Sequence, residues 1–274
     1  MSKVVLITGA SSGIGLETAV YLANKKFIVY GCARRLEKMN PIKKAGGFIL
    51  KLDITLKKDI NKVVNYVIQK EKKIDVLWNN AGFGLWGAVE DISIKRAIYQ
   101  FEVNLFGLAL ITKKVLPYMR NEKNGLIINT SSVGGKTYTP LGAWYHSTKH
   151  AIEGWSDCLA YELKKFGINV CLIQPGIIKS EFGNVMLENL HKNSKNSAYK
   201  KLNSAMLNAI KKNIKNPIGS HPIIVAKCVE KIINSKKPKK RYLVGYGARS
   251  MLFIRKWFGD NFYEFILKII GLRG

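Results

Sequence analysis

The sequence predicts an α/β fold, a doubly wound parallel sheet within a single domain, and three observations carry that expectation. Six short apolar runs recur at 3–8, 27–32, 47–51, 74–77, 125–130 and 168–174. Segments of helical periodicity separate most of them. The runs are mostly apolar and continuous rather than alternating, the pattern of strands buried on both faces of a parallel sheet. Alternating β and α units of this kind assemble into a doubly wound layer structure.

Taken in order, each run leads into a segment with its own chemical character. The first, "KVVLIT", opens into "GASSGIGLETA", a glycine-rich turn that starts a helix. Gly9 permits the tight turn, Gly13 lets backbone approach a phosphate, and Gly15 allows close helix–strand packing. The helix start then offers free N–H groups and partial positive charge to a pyrophosphate. The second run ends "YGCARRLEK", with two arginines where a carboxylate would hold a ribose hydroxyl. The third is followed by "LDIT", in which Asp53 is either a ligand to a nucleobase or a helix N-cap. The fourth leads through Trp78, read as core packing, into "NNAG" at 79–82, and the fifth into "SSVGG". A helix begins within "AWYHSTKHA", placing Tyr145 and Lys149 on one face a turn apart. The sixth run ends in "PGIIKS".

Beyond Pro175 the pattern changes to a Lys/Asn-rich stretch at 188–216, a helix near 222–235 and a short strand at 241–244. Residues 1–248 are expected to form the domain, with a lid at about 182–216, and residues 249–274 an amphipathic extension. In the extension, Lys256, Asp260, Glu264 and Lys268 recur every four residues as one polar stripe. The wide apolar remainder calls for a partner: its own domain, a second subunit or a membrane interface. Packing within the protein comes first and peripheral contact with an anionic membrane second. The net charge of +27 comes from lysines dispersed along the whole chain. That dispersion argues against a nucleic-acid binder, which would concentrate a basic patch. The four cysteines show no metal-ligand spacing, and His191 and His221 lack acidic or cysteine neighbours, so no metal site is expected. Buried thiols, no leader segment and no apolar run of membrane-spanning length point to the cytoplasm.

The order TGxxxGIG, NNAG, a serine thirteen residues before the tyrosine, and YxxxK resembles the short-chain dehydrogenase/reductase family from residue 3 to about 180. The later region is similar, more loosely, to its hydroxysteroid- and retinol-dehydrogenase-like branch. The resemblance implies a Rossmann-type fold and a catalytic set of Asn104, Ser132, Tyr145 and Lys149. Tyr145 would be the general acid, with Lys149 lowering its pKa and binding the nicotinamide ribose. Ser132 would bond the substrate oxygen, and Asn104 would hold a water linking the lysine to solvent. Neighbouring Ser131 is read as structural, and His146 and His150 as pointing away from the chemistry.

The cofactor implied is NADP, held by Gly9, Ser11, Ser12, Gly13, Ile14 and Gly15, by Asp53, by Asn80, Ala81 and Gly82, and by Pro175, Gly176, Ile178 and Ser180. Arg34, assisted by Ser11, would take the 2′-phosphate while Arg35 turns outward. Trp86, Tyr138, Leu141 and Phe182 would line an aromatic, apolar substrate pocket. An amphipathic helix over 199–214 would close it, with Leu202, Met206, Ala209, Ile210 and Ile214 inward. The expected activity is hydride transfer between NADP(H) and a lipophilic aldehyde, ketone or secondary alcohol, in a homo-oligomer. The rival reading is a sensor or scaffold that binds NADP(H) without useful turnover.

Overall fold

Each apolar run forms a strand in the computed structural model, which describes residues 2–194, 196–216 and 218–269. The strands are β1 (Val4–Thr8), β2 (Ile28–Ala33), β3 (Phe48–Lys51), β4 (Val76–Asn79), β5 (Gly125–Thr130), β6 (Ile168–Pro175) and β7 (Arg241–Val244). They form one parallel sheet in the order β3-β2-β1-β4-β5-β6-β7. Strand order reverses between β1 and β4, so a crevice opens beyond the carboxyl ends of these strands. β4 begins and ends two residues later than the apolar run suggests, because Trp78 pairs with Ile128 and the first asparagine of "NNAG" is still strand.

Period-two alternation assigns the two sheet faces. Val5, Ile7, Val76, Trp78 and Ile128 face one core, while Val4, Leu6, Leu77 and Ile127 face the other. The first face is covered by α1 (Gly13–Asn24), α2 (Asn40–Lys44) and α9 (Ile223–Ile233); the second by α3 (Lys57–Glu71), α5 (Gly107–Asn121) and α6 (Ala143–Leu163). Fully burying one such aliphatic side chain contributes about 1.5–3 kcal/mol, which is why these strands read as unbroken apolar runs. Trp78 is fully buried, and its indole N–H donates to Thr130 Oγ1 at 2.9 Å. Cys32 and Cys171 are buried within strands, whereas Cys158 is exposed on α6.

Between α4 (Ile94–Phe101) and α5 the chain makes a wider π-helical turn, Glu102–Phe106. Past β6, α7 (Phe182–Asn193) and α8 (Lys200–Lys215) form the expected lid, and α10 (Ala248–Ile269) follows β7. Lys195 in the lid and residues 270–274 of the extension lie outside the described residues. On α8 the buried face carries Asn203, Met206 and Ile210. Ala209 and Ile214 are exposed, contrary to the inward face expected, because that face is narrower than the apolar pattern. The polar stripe expected along the extension is also interrupted. Gly259 takes φ 73°, which breaks α10 into two segments and shifts the register of residues beyond it. No helix among the described residues is long and apolar enough to cross a membrane.

Candidate active site

At the crevice the ends of β1 and β4 are tied together by hydrogen bonds between side chains and main chain. At the end of β1, Thr8 Oγ1 accepts from the backbone N–H of both Asn80 and Ala81, each at 3.0 Å. The Asn80 amide donates back to the Thr8 and Gly9 carbonyls at 3.2 Å. Gly9 sits at φ +69°, and a Cβ there would lie 2.7 Å from Ala81 Cα; one at Gly15 would lie 2.3 Å from Gly9 O. Both glycines therefore serve close approach of the loop, the "NNAG" turn and the first helix. Ser12 O accepts from Leu16 N, so the amides of Gly13, Ile14 and Gly15 precede the first intrahelical bond and face the crevice end of α1. The segment after β6 closes beside this loop, with Ser180 Cβ 3.4 Å from where a Gly13 Cβ would stand. A Cβ on Gly176 would strike Tyr246 O at 2.2 Å, so its smallness admits the chain leaving β7. Ile178 pairs alongside Ser220.

The arginines divide in the opposite sense to the sequence expectation. Arg35 lies over the glycine loop, with Nη2 3.3 Å from Ser11 Oγ and 3.4 Å from Ser12 Oγ. Arg34 swings to α4 and donates to Tyr99 OH at 2.9 Å. Asp53 is not an N-cap: its carboxylate accepts from Thr55 N at 3.0 Å and Thr55 Oγ1 at 2.7 Å, an Asx turn ahead of α3.

On α6, Tyr145 and Lys149 share one face, and both are buried. Lys149 Nζ donates to Thr130 O at 2.8 Å and stands 5.8 Å from the Tyr145 ring centroid. Ser132 is the residue preceding a one-turn helix, where its hydroxyl accepts from Gly134 N at 3.0 Å. Asn104 sits in the π-helical turn, and its amide group donates to Phe83 O at 3.0 Å and to Thr148 Oγ1 at 3.1 Å. Its oxygen accepts from Phe83 N at 3.0 Å. The side chain thus clamps the backbone just past "NNAG" and ties it to Thr148 on α6. A Cβ on Gly82 would lie 3.1 Å from Asn104 Oδ1 and 3.9 Å from Lys149 Nζ, which shows how tightly the three converge.

Electrostatics also depart from expectation in one respect. Burial pushes the Tyr145 phenol up to about 12, opposed by a hydrogen bond to the Ser132 hydroxyl. Burial lowers Lys149 to about 8, opposed by the negative charge of Glu153. At neutral pH the phenol is therefore protonated and the amine mostly charged, the state in which a proton can be donated.

Sequence reasoning missed Glu153. It lies one further turn along the same face of α6 and is buried. Arg241 Nε on β7 meets it at 2.8 Å, Gln174 Nε2 on β6 donates to it at 3.0 Å, and Lys136 Nζ is 3.7 Å away. The i, i+4, i+8 spacing from Tyr145 was the available signal. His146 is also more involved than expected. Its Nε2 accepts from Thr139 N at 3.0 Å, which leaves Nδ1 as the donor to Gly134 O at 2.9 Å. The neutral ring thereby pins the loop that carries Ser132, and burial lowers its pKa.

The expected pocket residues converge on Tyr145. Trp86 lies 4.8 Å and Phe182 5.6 Å from its ring, and Leu141 joins the same buried cluster with Tyr138 at its margin. Leu190, Met206 and Ile210 of the lid and Tyr263 and Leu267 of α10 complete it. The described residues hold no cluster of three or more metal-ligating side chains.

The fold is thus a doubly wound α/β sheet with a buried phenol and lysine beside its switch-point crevice. The family model for short chain dehydrogenases matches residues 3–191, and the chain belongs to that family. A 3-ketodihydrosphingosine reductase of Bacteroides thetaiotaomicron is 36% identical over 270 residues, covering 97% of each chain. Retinol dehydrogenase 8 of Bos taurus is 33% identical over 253 residues, covering 87% of this chain and 80% of its own. The structure of an actinorhodin polyketide ketoreductase variant with NADPH superimposes with a TM-score of 0.75 at 28% identity, covering 89% of this chain and 95% of that one.

Proposed function

We propose that this protein is an NADP(H)-dependent carbonyl reductase, or alcohol dehydrogenase in reverse, acting on a lipophilic aldehyde, ketone or secondary alcohol. One observation carries the reading: the Tyr145 phenol is buried beneath Trp86 and Phe182, on the same helix face as Lys149. A proton donor enclosed by aromatic rings suits a carbonyl attached to an apolar body. The sphingoid ketone reductase among the relatives supports a long-chain ketone within that class.

The crevice residues fit a dinucleotide. The amides of Gly13, Ile14 and Gly15 at the start of α1 would meet the pyrophosphate, and the close approach at Gly9 and Gly15 leaves no room for side chains there. Arg35, beside Ser11 and Ser12, suits a 2′-phosphate, and the NADPH-bound ketoreductase supports the same cofactor. When bound, the cofactor supplies or accepts a hydride at the carbonyl carbon. The chain's own part is to move the proton. Ser132 and Tyr145 hydrogen-bond the carbonyl oxygen, and the phenol gives its proton to that oxygen as negative charge develops. The adjacent Lys149 ammonium stabilises the phenolate left behind. Trp86, Phe182 and the lid exclude water. Exposed Ile94, Ile98, Phe106 and Leu110 on and between α4 and α5 support self-association.

The test is NADPH oxidation across sphingoid ketones, steroids, retinoids and fatty aldehydes, with Tyr145→Phe beside wild type. Turnover should fall by about 10²–10⁴-fold while NADPH still binds, because the variant loses the acid and keeps the ring. Near-normal turnover in the variant would overturn the assignment. NADPH binding without turnover on any carbonyl would favour the sensor reading.

A further inference from the structure

The two faces of α10 differ sharply in their surroundings. Ile254, Tyr263 and Leu267 pack into the cluster around Tyr145, and Tyr263 OH donates to Tyr138 O at 2.8 Å. The opposite side is bare aromatic surface. Phe253 is 57% exposed, Trp257 67%, Phe258 55%, Phe262 40% and Phe265 55%. Their rings form one continuous ridge across the Gly259 kink, with successive centroids 5.0–6.3 Å apart. Monomeric soluble proteins rarely leave contiguous apolar surface of this kind uncovered.

Charge identifies what covers it. Arg249, Phe253, Lys256 and Trp257 follow one another at helical spacing, so cations flank the ridge on its own stripe. Arg249 and Ser250 also border a groove of about 1000 Å³ against α9 and β7, lined by Lys227, Lys231, Lys237 and Lys239 and, among the described residues, by no acidic one. The two acids of α10 are already engaged: Asp260 with Arg255 at 3.1 Å, and Glu264 as acceptor from Tyr138 OH at 3.0 Å. Aromatic rings flanked by Arg249 and Lys256, with a lysine-lined groove at the start of the helix, match the boundary layer of an anionic bilayer, where rings sit among the acyl chains and cations meet the headgroups.

We propose that the outer face of α10, with the basic groove at its start, docks the protein on the surface of an anionic lipid bilayer. The inner face of the same helix closes the cluster around Tyr145, so docking would set the site directly against the lipid phase. The lipid contact stands without the reductase reading; only this last consequence rests on it.

The experiment is co-sedimentation of the full chain with vesicles of phosphatidylcholine alone and of equimolar phosphatidylcholine and phosphatidylglycerol. Binding is expected to the mixed vesicles and to weaken at high salt. The double variant Phe253→Ser/Trp257→Ser should bind roughly tenfold more weakly or worse, as should Lys227→Glu/Lys231→Glu. Both pairs are exposed, and an unchanged thermal midpoint shows that the variants fold. Absence of wild-type binding to mixed vesicles would overturn the proposal. So would retention of binding by the aromatic variant, since lysine dispersion alone would then suffice. If the wild type is a dimer, the aromatic variant a monomer, and neither binds vesicles, the ridge is an interface between copies and the proposal fails.

Discussion

Replacing Lys149 with methionine separates the electrostatic cost of the site from its shape. Methionine keeps an unbranched chain of similar reach and removes the charge. Burial brings the lysine from 10.5 down to about 8, against the opposing pull of Glu153. Between those values an unfolded chain still holds the proton while the folded one has released it. The unfolded state therefore binds more protons, and stability must rise with pH across that window. Put the other way, the wild type carries a penalty that is fully present below about pH 8 and relieved as pH approaches 10.5. At ~1.36 kcal/mol per unit, integration gives a relief of roughly 2 kcal/mol between about pH 7 and about pH 9.5.

The variant loses that dependence. It also leaves the Thr130 carbonyl without its donor, a cost of about 1–3 kcal/mol. That second effect does not titrate, so it displaces the variant's stability without altering its slope. Urea unfolding of both proteins at the two pH values yields the difference between differences, in which every other titrating group cancels. A gap between the proteins that stays constant to within about 0.5 kcal/mol would refute the idea that burial strains this lysine. A gap that moves in the variant's favour at high pH would refute it more strongly.

The same titration governs catalysis. The reductive rate should be level below about pH 8 and fall above it as Lys149 loses its charge, since Tyr145, held at about 12, stays protonated throughout. Glu153→Gln should move that fall to lower pH by withdrawing the opposing carboxylate. It should also lower stability by about 1–3 kcal/mol as the Arg241 bond loses its charge assistance while Asp157 stays in place; pH–rate profiles and thermal unfolding measure the two effects. For the cofactor, Arg35→Leu should raise the NADPH dissociation constant more than tenfold, the equivalent of one charge-assisted bond of roughly 1.5–3 kcal/mol. Arg34→Leu should matter less because that guanidinium is turned to Tyr99. Titration of both variants with NADPH and NADH decides the order, and equal losses would show that the two arginines share the phosphate.

What could be read from the sequence was local in origin. Strands buried on two faces are mostly apolar on both sides, and the loop glycines answer to atoms within a few ångströms, so Val4 to Thr8 and Gly9 to Gly15 declared themselves. The direction of a long side chain is not local. Arg34 and Arg35 are neighbours with the same chemistry, and only the position of Tyr99 on α4, 65 residues away, separates them. The kink at Gly259 likewise depends on packing: a glycine inside an apparently helical stretch permits a break without requiring one.

Glu153 is the most instructive omission. In the sequence it is an ordinary charge on a long helix; its burial is compensated by distant partners, above all Arg241, which arrives on β7 from 88 residues further along. Its partner strand is the one that follows the lid and precedes α10. A single stripe on α6, from Tyr145 through Lys149 to Glu153, therefore links the proton donor to the part of the chain that closes the pocket. Displacing β7 would remove the guanidinium from this buried anion and leave only the Gln174 amide and Lys136 beside it, two turns from the phenol and one turn from the lysine that it supports. The ionic state of Lys149 thus depends on correct docking of the C-terminal third of the protein, and that dependence makes Arg241 part of the site although it lies far from the reacting atoms.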